Sequence, residues 1–441
     1  MKKQYLLLLF FGLFALQTPE AQINKLDFVE YDLDNGLHVI LHQDRSTPIL
    51  AVSILYHVGS KNEDPNRTGF AHFFEHLMFE GSKHIDRGEF DSYVSNAGGI
   101  LNANTSHDRT FYFEVFPSNQ LELGLWLESE RLLHAKIDHK GIETQREVVK
   151  EEKRQRIDNQ PYGSWIYKAF EHAYSVHPYR WPVIGLMEDL DAASDEDFEK
   201  FYEKYYVPNN ATLSIAGDID IEETKELIEK YFGSIPRGED VVQPDIVEPP
   251  LDELIVDTVY DDISLPAMFL AYRIPEQTHE DIYALEMLSA LLSGGESSRM
   301  VKKLKNEDQT AIQVSNFPLP LEDPGLSFII ALPNIGTELD VLLEGIDREI
   351  EKVQQDLITE QEYQKLQNKF ESDFIQDNTS MLSIAESLAN YHTYYGDAHL
   401  INTIIEKYKS VSREDIRRVA REYFSSDNRV ILYYLPNQQN Q

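Results

Sequence analysis

Ser194-Asp195-Glu196-Asp197-Phe198, continuing through Tyr205-Tyr206 and Asn209-Asn210 to Leu213, recurs later in the chain as Ser412-Arg413-Glu414-Asp415-Ile416, through Tyr423-Phe424 and Asp427-Asn428 to Ile431. Each copy reads as a helix whose serine can cap the N-terminus with a carboxylate three residues on, then a polar turn, then an apolar strand. A second pair of stretches obeys the same relation. Ala51-Val52-Ser53-Ile54-Leu55-Tyr56 and Ala267-Met268-Phe269-Leu270-Ala271-Tyr272 are apolar strands, each leading through a polar loop into a helix. Matched positions stand about 216–218 residues apart, roughly one domain length, which marks an internal duplication. Within each half, strands come first, then long charged amphipathic helices, then a closing helix and strand. This pattern predicts an α+β fold made of two homologous α/β sandwich domains. The boundary falls in the polar, proline-bearing stretch from Pro236-Arg237-Gly238 to Glu248-Pro249-Pro250, giving domains over residues 22–235 and 251–441 with a linker over 236–250.

The chain has 441 residues and opens with Met1-Lys2-Lys3-Gln4 and the apolar run Tyr5 to Leu16. A basic start, a short apolar core and the zone Thr18-Pro19-Glu20-Ala21 read as a signal peptide over residues 1–21, with the mature chain starting near Gln22. The apolar run is too short for the ~20 residues a membrane span needs. Export to the periplasm or beyond the cell is therefore expected, with no membrane span in the mature chain. There is no cysteine, so neither disulfides nor thiolate ligands are available. A net charge of −36 speaks against nucleic acid as a partner, because a phosphate backbone needs a basic face. Most of those carboxylates read as a solvated surface; the same charge is compatible with attraction of basic peptides.

The chemistry concentrates in His72-Phe73-Phe74-Glu75-His76. On a helix, His72 and His76 project from one face about a turn apart, which suits two ligands of a tetrahedral zinc. Glu75, beside His76, is close enough to take a proton from an attacking water. Two ordinary helical histidines are the competing reading of so short a pattern. A catalytic zinc needs a third protein ligand, and the helix expected from Gly141 to Ile157 offers carboxylates. Its inward stripe runs Ile142, Gln145, Val149, Glu152, Arg156, which selects Glu152; Glu151 lies off the stripe and is the second choice. The matching helix of the second half, Tyr283-Ala284-Leu285-Glu286-Met287-Leu288, has no histidine, so the second domain is not a second zinc site of this kind.

Beyond the motif, the chain carries Thr68-Gly69-Phe70-Ala71, Leu77-Met78-Phe79-Glu80-Gly81-Ser82, Gly98-Gly99-Ile100-Leu101-Asn102-Ala103-Asn104-Thr105 and Gln145-Arg146-Glu147-Val148-Val149-Lys150-Glu151-Glu152. With these segments it resembles the family of pitrilysin, insulin-degrading enzyme and the mitochondrial processing peptidase. The resemblance implies a zinc endopeptidase with one Zn2+ per chain, held by His72, His76 and Glu152, with Glu75 as general base. It further implies that the strand bearing Asn102, Ala103 and Asn104 pairs with the backbone of a peptide substrate. Otherwise the two asparagines serve only to satisfy loop hydrogen bonds. Many members have glutamate where this chain has Gln145. Glu130, in the helix expected over Leu121 to Leu133, reads either as an acceptor for a zinc-bound imidazole or as a solvated glutamate.

Members of that family join two such units in one chain or pair two chains into a clamshell, so this chain, as half of a clamshell, is expected to dimerise. Self-sufficient members supply an arginine and a tyrosine from the closing half. The counterpart here, Gly325 to Gly336, has neither, and Arg299 lies upstream. A heterodimer with a similar exported chain that lacks the zinc motif follows as an expectation. The alternative function is a non-catalytic partner subunit of the same fold.

Overall fold

The computed structural model describes residues 25–251 and 253–437; the leader expected over residues 1–21 lies outside them. In the first half the strands are β1 (Val29–Asp32), β2 (His38–Gln43), β3 (Ile49–Tyr56), β4 (Ile100–Thr105), β5 (Thr110–Pro117) and β6 (Ala211–Gly217). They form a six-stranded sheet in the order β1-β2-β6-β3-β5-β4. The second half supplies β7 (Ile255–Asp261), β8 (Ala267–Arg273), β9 (Ala311–Leu319), β10 (Leu326–Pro333) and β11 (Val430–Pro436), ordered β7-β11-β8-β10-β9. Apart from β1, the two sheets are the same sheet. The pair β2/β6 is parallel and so is β7/β11, while β3/β6, β3/β5 and β4/β5 are antiparallel, as are β8/β11, β8/β10 and β9/β10.

The repeated capping sequences do the same work in both copies. Ser194 accepts from the Asp197 amide while the Asp197 carboxylate reaches back to Ser194, opening the helix Asp195–Tyr205; Ser412 and Asp415 do likewise for Arg413–Tyr423. Two donors that the first helical turn would otherwise leave unpaired are satisfied by this exchange.

The strands β3 and β6 are buried almost end to end, which requires cover on both faces of the sheet. One face packs on the domain's own helices, through residues such as Val52, Ile54, Phe73, Phe74 and Phe198. The other face is covered from the second half of the chain. The helix Met381–Tyr395 lays Met381, Ile384, Ala385 and Leu388 on Ile40, Ala51 and Ala216. The exchange is mutual. The helix Trp165–Ala173 from the first half packs Ala169, Phe170 and Ala173 on Phe269, Ala271, Phe328 and Leu432 of the second sheet. Trp165 stacks on Phe269 with ring centroids 4.9 Å apart and planes 11° apart.

Residues 236–250 contain neither helix nor strand, yet the stretch is fastened down. The Glu248 carboxylate accepts from the amides of Ser175 (2.7 Å), Val176 (2.9 Å) and His177 (2.7 Å). A buried ion cluster adds a further tie between the halves. Lys61, 2% exposed, reaches Asp108 (3.3 Å) in its own half and Glu322 (2.6 Å) and Asp323 (3.2 Å) in the other. No helix among the described residues is long and apolar enough to cross a membrane.

Because each sheet is roofed by the other half, the two halves should unfold together. Trp126 and Trp181 report on the first half, and for the measurement Trp165, which packs on the second sheet, is replaced by phenylalanine in both proteins compared. Leu388→Ala, in the second half, should cost about 2–5 kcal/mol and shift the denaturation midpoint read by tryptophan fluorescence. A fluorescence transition identical to that of the parent protein would mean that the halves melt independently.

Candidate metal centre

The motif occupies the helix Phe70–Leu77. Phe70, Ala71, Phe73, Phe74 and Leu77 turn into the core, which leaves His72, Glu75 and His76 on the opposite, half-buried face. The start of the helix is set tightly. Gly69 has φ +88°, and a Cβ there would come within 2.7 Å of the Ile184 carbonyl oxygen, so only glycine fits. The buried Glu63 carboxylate then accepts from the Gly69 and Ala71 amides, both at 2.8 Å, filling the first turn.

The third carboxylate comes from the helix His139–Lys153, which begins two residues before the expected start and passes into a π-helical turn over Arg154–Asp158. The Glu152 side chain is 14% exposed and that of Glu151 is 50% exposed. Glu151 spends its oxygens on Arg154 (2.7 Å) and Gln155 (2.8 Å) at the surface. Glu152 turns inward: Arg156 holds its Oε1 at 2.7 Å, and its Oε2 lies 3.0 Å from His76 Nε2 and 3.6 Å from His72 Nε2. Glu152 is thus the carboxylate that joins the two histidines.

These three residues fit a tetrahedral metal. Their ligand atoms lie within 4.8 Å of one another, and ligands bonded at about 2.0–2.2 Å to zinc stand about 3.3–3.6 Å apart. Glu152 Oε2 is buried without a hydrogen bond among the described residues, the condition of a lone pair awaiting a cation. Burial, then the neighbouring His76, hold the His72 imidazole down to about 4, so it is neutral, as a ligand must be. The close approach of His76 keeps the Glu152 carboxyl below its usual range against the opposing effect of burial. Three protein ligands leave a fourth position open.

Glu75 stands outside that triad. The Thr105 hydroxyl donates to its Oε2 at 2.6 Å, leaving Oε1 without that engagement. Burial pushes the Glu75 carboxyl above its usual range, opposed by the Thr105 hydrogen bond and His76. Thr105 ends β4, the outermost strand of its sheet, which pairs on one side with β5. Asn102, Ala103 and Asn104 therefore sit on a free sheet edge beside the motif helix. Asn102 and Asn104 are exposed. Asn102 Oδ1 accepts from the Ala103 amide at 2.9 Å, and Asn104 Oδ1 accepts from Arg109 at 3.3 Å.

One sequence expectation is corrected. Glu130, in the helix Leu121–His134, does take a hydrogen bond from an imidazole, but from His84 (2.8 Å) and not from His72 or His76. Its carboxylate faces the loop that follows the motif helix, where Ser82 donates to its other oxygen at 2.6 Å. Gln145 donates to Glu80, which also holds Arg87, so it serves to brace that loop. Thr105 was not singled out from sequence. Arg156, expected at the end of the inward stripe, instead has its side chain 78% exposed and pairs with Glu152 four residues before it, the spacing of a helical ion pair.

The first copy of a duplicated α/β unit thus brings two histidines and a glutamate of an inverted motif together. The chain belongs to the insulinase family, peptidase family M16. The family model described as "Insulinase (Peptidase family M16)" matches residues 38–184, and "Peptidase M16 inactive domain" matches residues 192–370. The chain is 32% identical over 408 residues to the Helicobacter pylori zinc protease PqqE, covering 92% of each chain. It is 24% identical over 399 residues to the Bacillus subtilis protein described as "Uncharacterized zinc protease YmxG", covering 90% of this chain and 96% of the other. The crystal structure of a protease from Helicobacter pylori, 32% identical, superposes with a TM-score of 0.88 over 93% of this chain and all (100%) of that one. The periplasmic protease PqqL from Escherichia coli shares the fold at 19% identity, with a TM-score of 0.77 over 94% of this chain and 48% of PqqL.

The geometry distinguishes the two adjacent glutamates. After dialysis against zinc-free buffer, Glu152→Ala should retain much less zinc than the parent chain, and Glu151→Ala should retain as much. Equal retention in both variants, or loss in Glu151→Ala alone, would mean that the ligand has been misassigned.

Proposed function

We propose that this chain is a zinc-dependent endopeptidase that hydrolyses peptides or unfolded polypeptide segments, with His72, His76 and Glu152 as the metal ligands and Glu75 as general base. The observation that carries this reading is the convergence of two Nε2 atoms and one carboxylate oxygen beside a second carboxylate, Glu75, which Thr105 holds by one oxygen. The zinc-protease names of its relatives support it. Zinc held by His72, His76 and Glu152 would supply Lewis acidity toward a carbonyl oxygen and an attacking water. Glu75 takes the proton of the attacking water and returns it to the departing amine. Thr105 fixes the rotation of the Glu75 carboxylate by holding one oxygen, so that the other faces the reaction. The edge strand β4 receives the substrate as an added strand, with Asn102, Ala103 and Asn104 along it. Recognition through backbone favours extended chains over folded ones.

The working assembly in this proposal is a dimer, half of a clamshell from each chain. The coverage of 48% of PqqL, a single chain of twice this length, supports a two-unit enclosure. The strand β10 and its flanks offer neither arginine nor tyrosine, and Arg299 is already engaged by Glu362 through two hydrogen bonds of 2.8 and 3.0 Å. A heterodimer with a related exported chain that brings those residues is therefore favoured, and the leader expected over residues 1–21 would send this chain to the periplasm or beyond the cell. The alternative, a non-catalytic subunit, draws support from the inactive-domain match over residues 192–370. That stretch lies outside the segment from His72 to Glu152.

Glu75→Gln should keep its zinc and lose about 10²–10⁴-fold in peptide cleavage rate; near-parental turnover in that variant would overturn the mechanism. Assayed alone, the zinc-loaded chain should cleave a peptide library poorly, and addition of the partner should raise the rate. Full activity from the chain alone would refute the heterodimer, and inactivity with every related partner would favour the non-catalytic role.

A further inference from the structure

We infer that His84, Glu130 and His134 form a second metal site, separate from the motif and suited to zinc or a similar transition ion. Each residue offers one ligand atom, and the three atoms lie within 4.8 Å of one another. Two imidazoles and one carboxylate are a donor set that favours zinc, nickel, cobalt or copper over calcium or magnesium.

The site is built rather than incidental. Glu130 is 6% exposed, yet it is held as a carboxylate: the hydrogen bonds from Ser82 and His84 and the nearby His134 outweigh the burial that opposes ionisation. His84 and His134 are the imidazoles that favour its ionised form. Ser82 donates to Oε2, and His84 Nδ1 stands 2.8 Å from Oε1. One oxygen is thereby oriented by a neighbouring hydroxyl and the other is turned to an imidazole nitrogen, the arrangement that orients a ligating carboxylate. The His84 and His134 rings meet edge to face, with centroids 5.4 Å apart and planes 84° apart.

The backbone that carries these side chains is stitched together. Ser82 and Ala135 form an antiparallel bridge, the Lys83 amide donates to the His134 carbonyl at 3.0 Å, and the Lys136 amide donates to Gly81 at 3.0 Å. The two imidazoles are thus brought near each other before any ion arrives, which lowers the ordering cost of binding. His84, with its side chain 52% exposed, provides the opening to solvent. A metal here ties the loop that leaves the motif helix to the end of the helix Leu121–His134.

Zinc bound per chain after equilibrium dialysis at a buffered free zinc concentration tests the site. The comparison needs the full chain, a His84→Ala/His134→Ala variant and a His72→Ala/His76→Ala variant, with circular dichroism to check folding. His84→Ala/His134→Ala should bind one ion fewer than the parent chain while its peptidase activity stays within twofold. If that variant does not fold, the pair His84→Gln/His134→Gln reads the same loss. An unchanged zinc count in the folded variant would overturn the site. Failure of the motif as a zinc site is a distinct result, because it would appear as an unchanged count in His72→Ala/His76→Ala.

Discussion

Each sheet of this molecule is closed by a helix from the other half, and the rest of the architecture hangs on that exchange. The apolar strands β3 and β6 would expose one face to water without Met381–Tyr395, and β8 and β11 would do so without Trp165–Ala173. At roughly 25 cal/mol per Å² of apolar surface, an uncovered sheet face carries a penalty comparable to the whole net stability of a domain. Neither half is complete by itself.

The exchange reaches the proposed catalytic centre by a short covalent path. Glu152 sits one residue before the end of an α-helix that turns π-helical and leads, within a few residues, into Trp165–Ala173. That helix is held by Phe269, Phe328 and Leu432 of the half that lacks the histidines. The other side of the site is fastened in the same way. Arg109, after the edge strand, donates to Asn104 and also to Asn390 (2.7 Å) and Glu386 on the helix Met381–Tyr395. The half without the motif thus sets the positions of the proposed third ligand and of the proposed substrate strand. That half is a support that cannot be removed, which gives a physical meaning to the inactive-domain match over residues 192–370.

What could be read in the sequence was whatever depends on local spacing. The Ser194 and Ser412 caps, the apolar strands one period apart, and the inward stripe that selects Glu152 over Glu151 all follow from helix and strand geometry. The same reasoning shows which halves match and which half lacks the histidines. Contacts set by tertiary packing were not legible. Nothing in Trp165–Ala173 marks it as the cover of the second sheet, since an apolar helical face does not state which surface it meets. Glu130 failed for the same reason: its place in a helix left open whether it is solvated or meets an imidazole, and only the fold buries it beside His84. Thr105 was visible as a residue and not as a partner of Glu75, because the two lie on different elements.

The most direct measurement is anomalous X-ray scattering at the zinc edge from crystals of the zinc-loaded chain. The expected result is a peak bonded to His72 Nε2, His76 Nε2 and Glu152 Oε2 at about 2.0–2.2 Å, with Glu75 close by but not coordinating. A zinc-loaded crystal with no peak among those three atoms, or with Glu75 in the place of Glu152, would contradict it.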